Sequence, residues 1–389
     1  MANPQTTAKS PATPKEQSPG GVVPPGSAGK TRHSVFHLLR VSDLDRITDD
    51  AVAITFDVPD RLREDFRFLP GQHLSLRSTI AGDDVRRNYS ICTPATSGKL
   101  RIGVKRLPDG VFSTFALERL QVGDALEVMT PTGRFTVAVD PANAKHYGAV
   151  AAGSGITPVL SILSTALEVE PNSRATLIYL NKSTTSIMFV EELEDLKNAY
   201  LERFQVVHVL DGERQDVEML SGALDKQRLT AILDGLVPAG DVDEWFLCGP
   251  LGLTDMVRDT LVERGQDGAR VHRELFVAST PPPRTPRPAK AGAPPRKGSV
   301  VEVILDGRSS TLDLHPDAES ILDATLKLRG DAPYACKNGV CGTCRAKVIE
   351  GKVDMDQNYA LEPDELAAGF VLACQSHPTT DRVTLDFDQ

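Results

Sequence analysis

From His33 to about Val139, apolar and polar residues alternate in short runs. The segments AVAITFDVP, GQHLSLRS, KLRIGVKRL and DALEVMTPTG carry this two-residue period between Gly and Pro punctuation, the pattern of half-buried strands in a small antiparallel barrel. The period then changes. YGAVAAGSGITPVLSILSTALEV begins as an apolar strand, turns at Gly153 and Gly155, and continues as a helix with Pro158 in its first turn. ATLIYLNKSTTS predicts a second buried strand, and EWFLCGPLGLTDMVRDTLVERG a further strand, turn and helix. The middle third therefore predicts a doubly wound parallel sheet with its ligand at the carboxyl ends of the strands. Later, VVEVILDGRSSTLDL reads as a hairpin with Asp306-Gly307 at the turn. DAESILDATLKLRG then sets Ile321, Leu322, Thr325 and Leu328 at helical spacing, with Gly330 as the stop. Two strands and a helix ahead of a cysteine-rich loop predict a compact α+β unit.

Composition supplies the boundaries. At 389 residues the chain exceeds one ordinary domain. Its first thirty residues hold six prolines and no aromatic residue, too little apolar surface to offset chain entropy, so residues 1–31 read as a disordered tail. Between Ser279 and Gly298 stand seven prolines, five basic residues and no acid, which suits an extended spacer; residues 277–298 are assigned as a linker. The expected domains are thus 32–139, 140–276 and 299–389. A net charge of -10 argues against a nucleic-acid partner. The segment from Ser299 onward has sixteen acidic against eight basic residues, an acidic surface that would steer a basic partner or simply be solvated. No apolar run approaches the roughly eighteen residues of a membrane span and no basic start leads into an apolar core, so a cytoplasmic protein away from the membrane is expected. In that compartment clustered cysteines hold metal more often than they form disulfides.

Four of the six cysteines form one pattern. Cys336, Cys341 and Cys344 follow C-x4-C-x2-C, and Cys374 stands thirty positions beyond Cys344, the spacing of a plant-type [2Fe-2S] centre. Zinc also accepts four thiolates, but its loops normally present two short pairs, and only one is present here. A cluster held by four thiolates is a buried anion, so backbone N–H groups must converge on its sulfurs. Gly339 and Gly342 would permit the positive φ angles that this requires.

The electrons need a source. RRNYSICTP, in the strand-rich region, offers Arg87 for a pyrophosphate, a Tyr89 face and hydroxyl for a flavin ring, and a Ser90 hydrogen bond for its edge. On its own such a tetrapeptide is ordinarily mere barrel surface. The turn at Gly153 and Gly155 allows close backbone approach at a helix N-terminus, where N–H groups and the macrodipole favour phosphate, although Pro158 stands where a G-x-G-x-x-G motif would carry its third glycine. After the second strand come Asn181, Lys182 and Ser183 with no acid. An acid there would repel a ribose 2′-phosphate, so NADPH is expected over NADH, with Lys182 as the phosphate contact or a plain surface lysine.

RNYS, GVFS, AAGSGITPVLSI, CGP and the cysteine loop, in this order, resemble the ferredoxin-NADP reductase superfamily, in its oxygenase-reductase branch with a fused plant-type ferredoxin. The resemblance covers the chain after about residue 32. It implies a multidomain protein: an antiparallel β-barrel FAD domain, an α/β nucleotide domain and an α+β ferredoxin domain of the β-grasp kind. It assigns Arg87, Asn88, Tyr89 and Ser90 to FAD, with Val104, Lys105, Gly110 and Ser113 along the phosphates and adenosine. Gly153, Gly155, Thr157 and Pro158 would cradle the nicotinamide cofactor, and Cys248, Gly249 and Pro250 would lie beside its ring. Glu274 and Phe276 match the terminal E-x-F, Phe276 covering the flavin. Ser90, Thr157, Cys248 and Phe276 would surround the reacting rings, though a small buried Cys248 and a core Phe276 fit the sequence nearly as well. By resemblance the acceptor is a di-iron oxygenase acting on phenylacetyl-CoA, with the reductase of a 3-ketosteroid hydroxylase as the alternative. An iron–sulfur redox sensor and a free-standing flavin or ferric reductase are readings of other kinds; the first leaves the nicotinamide and flavin motifs unused, the second the ferredoxin module.

Overall fold

The computed structural model describes residues 36–276, 298–315 and 319–389. The proposed tail and nearly all of the proline-rich linker lie outside the described residues.

The first domain is one curled antiparallel sheet. Its strands are β1 (Phe36–Thr48), β2 (Ala51–Asp57), β3 (His73–Ile80), β4 (Asp83–Ser90), β5 (Leu100–Lys105) and β6 (Ala125–Met129), in the order β4-β3-β6-β1-β2-β5. It is a half-barrel: its end strands meet through a single bridge, between Ile91 just past β4 and Ile102 of β5. Leu39, Ile54, Leu74, Leu76, Ile102 and Val128 fill the interior. The strand alternation does not announce α1 (Val111–Glu118), which packs against β3, β4 and β5.

The second domain alternates β7 (His146–Ala152), α2 (Ile156–Val169), β8 (Arg174–Asn181), α3 (Val190–Ala199), β9 (Phe204–Leu210), α4 (Lys226–Gly235), β10 (Glu244–Gly249), α5 (Leu251–Glu263) and β11 (Val271–Leu275). All pairs are parallel, in the order β11-β10-β7-β8-β9. From β7 the chain proceeds one way to β8 and β9, then the other way to β10 and β11. The crevice between β7 and β10 is therefore the switch point where such sheets bind ligands.

The third domain contains β12 (Ser299–Leu305), β13 (Arg308–Leu314), α6 (Ile321–Leu328), β14 (Arg345–Glu350), β15 (Val353–Met355), α7 (Pro363–Ala367), β16 (Phe370–Leu372), β17 (Ser376–Pro378) and β18 (Arg382–Asp386). Its main sheet runs β13-β12-β18-β14-β16, with β12 parallel to β18, and β15 pairs separately with β17. The hairpin turn at Asp306-Gly307 has φ of 54° and 68°, as a two-residue turn with both central residues left-handed requires. Ser320 caps α6 by accepting from the Asp323 N–H. Two details of the expected helix change. Leu328 is 57% exposed, and Gly330 is not among the positive-φ glycines; the helix has ended by Arg329, and the Gly330 carbonyl accepts from Arg86 instead.

The cores are distributed unevenly. Ala51, Ala53, Cys92, Phe135 and Val137 of the first domain share one cluster with Tyr147, Ile156, Val159 and Phe246 of the second. The third domain's cluster contains only its own residues. Where the chain enters the second domain, the fully buried Glu170 accepts from the Asp140 N–H (3.0 Å), Asn143 Nδ2 (2.7 Å), Ser173 Oγ (2.6 Å) and the Tyr147 hydroxyl (3.0 Å). Removing that acceptor strands several buried donors. Glu170→Ala is expected to destabilise the protein by about 3 kcal/mol or more in denaturant titration, with Glu170→Gln losing less.

Candidate functional site

Strand β4 positions the site. In register with β3, it sets Ser90 opposite His73, Asn88 opposite Ser75 and Arg86 opposite Arg77. Alternation turns these pairs to the outer face, while Val85 and Tyr89 turn inward to the barrel core. Along that outer face Ser90 Oγ donates to Glu274 Oε2 of β11 at 3.3 Å. Asn88 accepts from Ser75 Oγ (2.7 Å), meets His73 Nε2 (3.1 Å) and donates to Thr343 Oγ1 of the cysteine loop (2.8 Å). One strand thus reaches both other domains.

On the inward face, the Tyr89 ring lies 5.3 Å from that of Phe112 in the first turn of α1. The Gly110 cap of α1 provides no side-chain hydrogen bond, so the helix's first N–H groups stay available beside Tyr89, as a phosphate requires. The exposed Arg87 donates to the Arg86 carbonyl. These donors and the aromatic face fit a flavin dinucleotide. Two other residues assigned to it are engaged elsewhere: the Val104 side chain is fully buried in the barrel, leaving only its backbone, and the Ser113 hydroxyl bonds Gly110 O and Leu107 N–H within its own loop. Lys105 stands 3.6 Å from Asp50.

At the switch point, the turn containing Gly153 and Gly155 leads into α2, whose N-terminus also lacks a side-chain cap. A Cβ on Gly155 would fall 2.3 Å from the Cys248 carbonyl oxygen, so the turn and the Cys248-Gly249-Pro250 segment approach as closely as they do only with glycine there. Thr157 Oγ1 donates to Ser154 O, Pro158 is buried in the same first turn, and the Phe276 N–H donates to Gly249 O. Neither amide atom of the buried Asn181 has a hydrogen-bond partner among the described residues. The uncapped amide end of α2 and this orphaned amide fit a nicotinamide dinucleotide. Lys182 is exposed at the end of β8. The loop after β9 brings in a carboxylate that local sequence did not reveal: Glu213 accepts from the Thr184 N–H at 2.7 Å and from its hydroxyl at 3.1 Å.

The enclosed centre carries little charge. Burial pushes the His73 pKa down to about 4 and holds the Cys248 thiol well above its ordinary value. It raises Glu274 to about 8, against the hydrogen bond from Ser90. At neutral pH the imidazole is unprotonated, the carboxyl holds its proton, and Cys248 is an inert thiol.

The four loop cysteines fall into two close pairs, Cys336 with Cys341 and Cys344 with Cys374. Among the described residues no three metal-binding side chains converge on one point as a single ion would need, and the six cysteines form no disulfide. Two two-sulfur corners fit a binuclear [2Fe-2S] centre better than a zinc ion. Gly339 and Gly342 have φ of 74° and 67°. Cys336 is drawn down to about 6 by its Cys341 neighbour and by the N–H groups of Asn338, Val340 and Cys341, against its burial; Cys374 is lowered by Cys344, the Gln375 amide and the Gly339 N–H.

Family models match the three domains in turn: an oxidoreductase FAD-binding domain over residues 38–137, an oxidoreductase NAD-binding domain over 149–259 and a 2Fe-2S iron-sulfur cluster binding domain over 303–379. Together they define an NAD(P)H-dependent flavin and iron–sulfur oxidoreductase. The chain is 43% identical over 355 residues to a subunit of the 1,2-phenylacetyl-CoA epoxidase of Escherichia coli (strain K12), covering 91% of this chain and 98% of that protein. It is 36% identical over 357 residues to the ferredoxin reductase component of 3-ketosteroid-9-alpha-monooxygenase from Rhodococcus rhodochrous, covering 90% and 96%. Phthalate dioxygenase reductase shares the fold, with a TM-score of 0.54 and 24% identity over 90% of this chain and 98% of that one. The chain belongs to the ferredoxin-NADP reductase superfamily, in the group of oxygenase reductase components with a fused [2Fe-2S] domain. No described helix is long and apolar enough to cross a membrane.

The Glu274 proton sets a pH dependence. The native state keeps this proton up to about pH 8, whereas the unfolded chain releases it near 4.5. Its contribution to stability is therefore full below about pH 4.5 and is lost as pH rises toward 8. Glu274→Gln cannot ionise. Wild-type stability relative to this variant should fall between pH 5 and 8, by at most about 1.4 kcal/mol per unit; a flat difference across denaturant titrations would show that the carboxyl is already ionised.

Proposed function

We propose that the protein carries electrons from NADPH through FAD and a [2Fe-2S] cluster to a di-iron oxygenase that epoxidises phenylacetyl-CoA. The observation that carries this reading is the outer face of β4: Ser90 bonds Glu274 of the nucleotide domain, and Asn88, two residues away, bonds Thr343 of the cysteine loop. The flavin stretch stands between the electron source and the electron sink. When bound, the flavin converts a hydride, two electrons together, into the single electrons that a cluster accepts.

The chain's own residues position and shield. The open turn at Gly155 gives the dinucleotide close access to α2, and Asn181 with the uncapped amides would hold its polar parts. The Ser90–Glu274 bond ties the end of β4 to β11, and the Phe276 N–H, just past β11, is held by the Gly249 carbonyl at the end of β10. Cys248 and the protonated Glu274 keep the nicotinamide site free of fixed charge, and no side chain is required as acid or base in the hydride step. Identity of 43% with an epoxidase subunit and 36% with a ketosteroid monooxygenase component supports an oxygenase as the acceptor. It makes the steroid system the reading to test against. Reconstituted with a phenylacetyl-CoA epoxidase and, separately, with a steroid hydroxylase, the protein should consume substrate and NADPH in near-equal amounts only with the first; equal and poor coupling to both would leave a generic reductase.

Coenzyme choice rests on Lys182 and Glu213, which bring opposite charges to the loops after β8 and β9. NADPH is favoured because Glu213 is already held by Thr184, whereas the exposed Lys182 is free to meet a 2′-phosphate. kcat/KM should be higher for NADPH than for NADH. Lys182→Glu should lower the NADPH value by about tenfold or more while sparing NADH, and a preference for NADH in the wild type would reverse the assignment.

A further inference from the structure

The outer face of β3 and β4 contains an arrangement that the redox chemistry does not explain. Arg77 and Arg86 stand directly opposite each other, where like charges repel. Arg77 is neutralised within its own domain by Glu127, through two hydrogen bonds of 2.8 and 2.5 Å. Arg86 has only weak partners there, Asp84 at 3.3 Å and the Phe36 ring at 5.4 Å, yet is only 6% exposed. The ferredoxin domain covers it. Its guanidinium lies 4.2 Å over the Tyr334 ring and donates to the Gly330 carbonyl at 3.3 Å.

The neighbouring contacts follow the same line. Asn88 donates to Thr343, and Arg134 of the flavin domain ion-pairs with Glu365 of α7, which also holds Arg345. Tyr334 lies two residues before Cys336, and Thr343 immediately precedes Cys344, so these contacts grip the cysteine loop at both ends. All are polar or cation–π, and no hydrophobic cluster among the described residues joins the ferredoxin domain to the rest. Such an interface can open without exposing a core.

We propose that Arg86 is a latch: its stack on Tyr334, with the Asn88–Thr343 bond, holds the ferredoxin domain with its cysteine loop against the flavin domain and sets the rate at which electrons cross between them. This rests on the functional reading above, since only a flavin that feeds the cluster makes the crossing matter. Lysine cannot replace Arg86, because an ammonium lacks both the planar stack and the fork that reaches Gly330.

The test uses anaerobic stopped-flow of the holoprotein against NADPH, following flavin bleaching and cluster reduction separately. Arg86→Ala and Arg86→Lys should leave flavin bleaching at the wild-type rate and slow cluster reduction by about tenfold. Tyr334→Leu should do the same, and the Arg86→Ala, Tyr334→Leu double variant should be no slower than either single one. Hydrogen exchange at residues 330–334 should accelerate in each variant, a readout that needs no turnover. Wild-type cluster reduction in both single variants, or fully additive losses in the double, would overturn the latch. If Arg86→Ala is isolated without flavin, Tyr334→Leu, on the opposite domain, decides alone. If the wild type shows no bleaching by NADPH, the functional reading fails, and the exchange measurement still judges the latch.

Discussion

A β-strand sends successive side chains to opposite faces, and in β4 that alternation organises the whole molecule. Val85 and Tyr89 enter the barrel core; Arg86, Asn88 and Ser90 leave it and reach, in that order, the ferredoxin domain, the cysteine loop and the nucleotide domain. A slip of one residue would bury the outward set and turn the inward set to solvent. The tight turn between β3 and β4 prevents it: Ala81 and Gly82 both have positive φ, 54° and 94°, and this fixes Ile80 opposite Asp83 and hence His73 opposite Ser90.

That register was in principle legible, since two strand-like runs separated by two residues, the second a glycine, are a hairpin signal. Extended along the pair, it would have placed His73 beside Ser90 and exposed the Arg77–Arg86 clash. The conspicuous Asp306-Gly307 turn was readable for the same reason, as were the strand, glycine turn and helix at β7 and α2. All are local, with period and turn chemistry inside one window. The failures are long-range. Gly330 stands just past the end of α6 as expected but takes no left-handed cap, and its carbonyl goes to Arg86, a residue 244 positions away. Val104, which the resemblance assigns to the flavin, turns its side chain into the barrel, so only its backbone is left to meet a ligand.

The coenzyme site shows the same limit with electrostatic consequences. Reading Asn181, Lys182 and Ser183 as the whole environment of the ribose gave a site with no acid. The parallel sheet sets the end of β9 beside that of β8, and the Gly212 N–H donates to the Lys182 carbonyl at 2.8 Å, which delivers Glu213 to Thr184. A parallel strand pair joins segments separated by a whole crossover, so the charge facing a ligand is set by two loops. The cysteine loop is the opposite case. Three of its cysteines and both its left-handed glycines lie within nine residues, so spacing alone pointed to a [2Fe-2S] domain, and the structure added the division of the four cysteines into two pairs.

The two kinds of transfer place different demands on the scaffold, and the cores reflect them. Hydride transfer makes and breaks bonds, so its partners must be held within a near-attack distance of about 3–3.5 Å, and a displacement of about 1 Å is costly. The flavin and nucleotide domains meet that demand by sharing one hydrophobic cluster, reinforced by Ser161 Oγ donating to Thr93 O at 2.7 Å and by the Ala95 N–H donating to Thr165 Oγ1 at 2.9 Å. An electron crosses a gap without a bond being made, so the ferredoxin domain needs only an approach that recurs. Polar contacts around Arg86 suit that purpose better than a fused core. They desolvate little apolar surface and set the acidic ferredoxin domain against the arginines that face it.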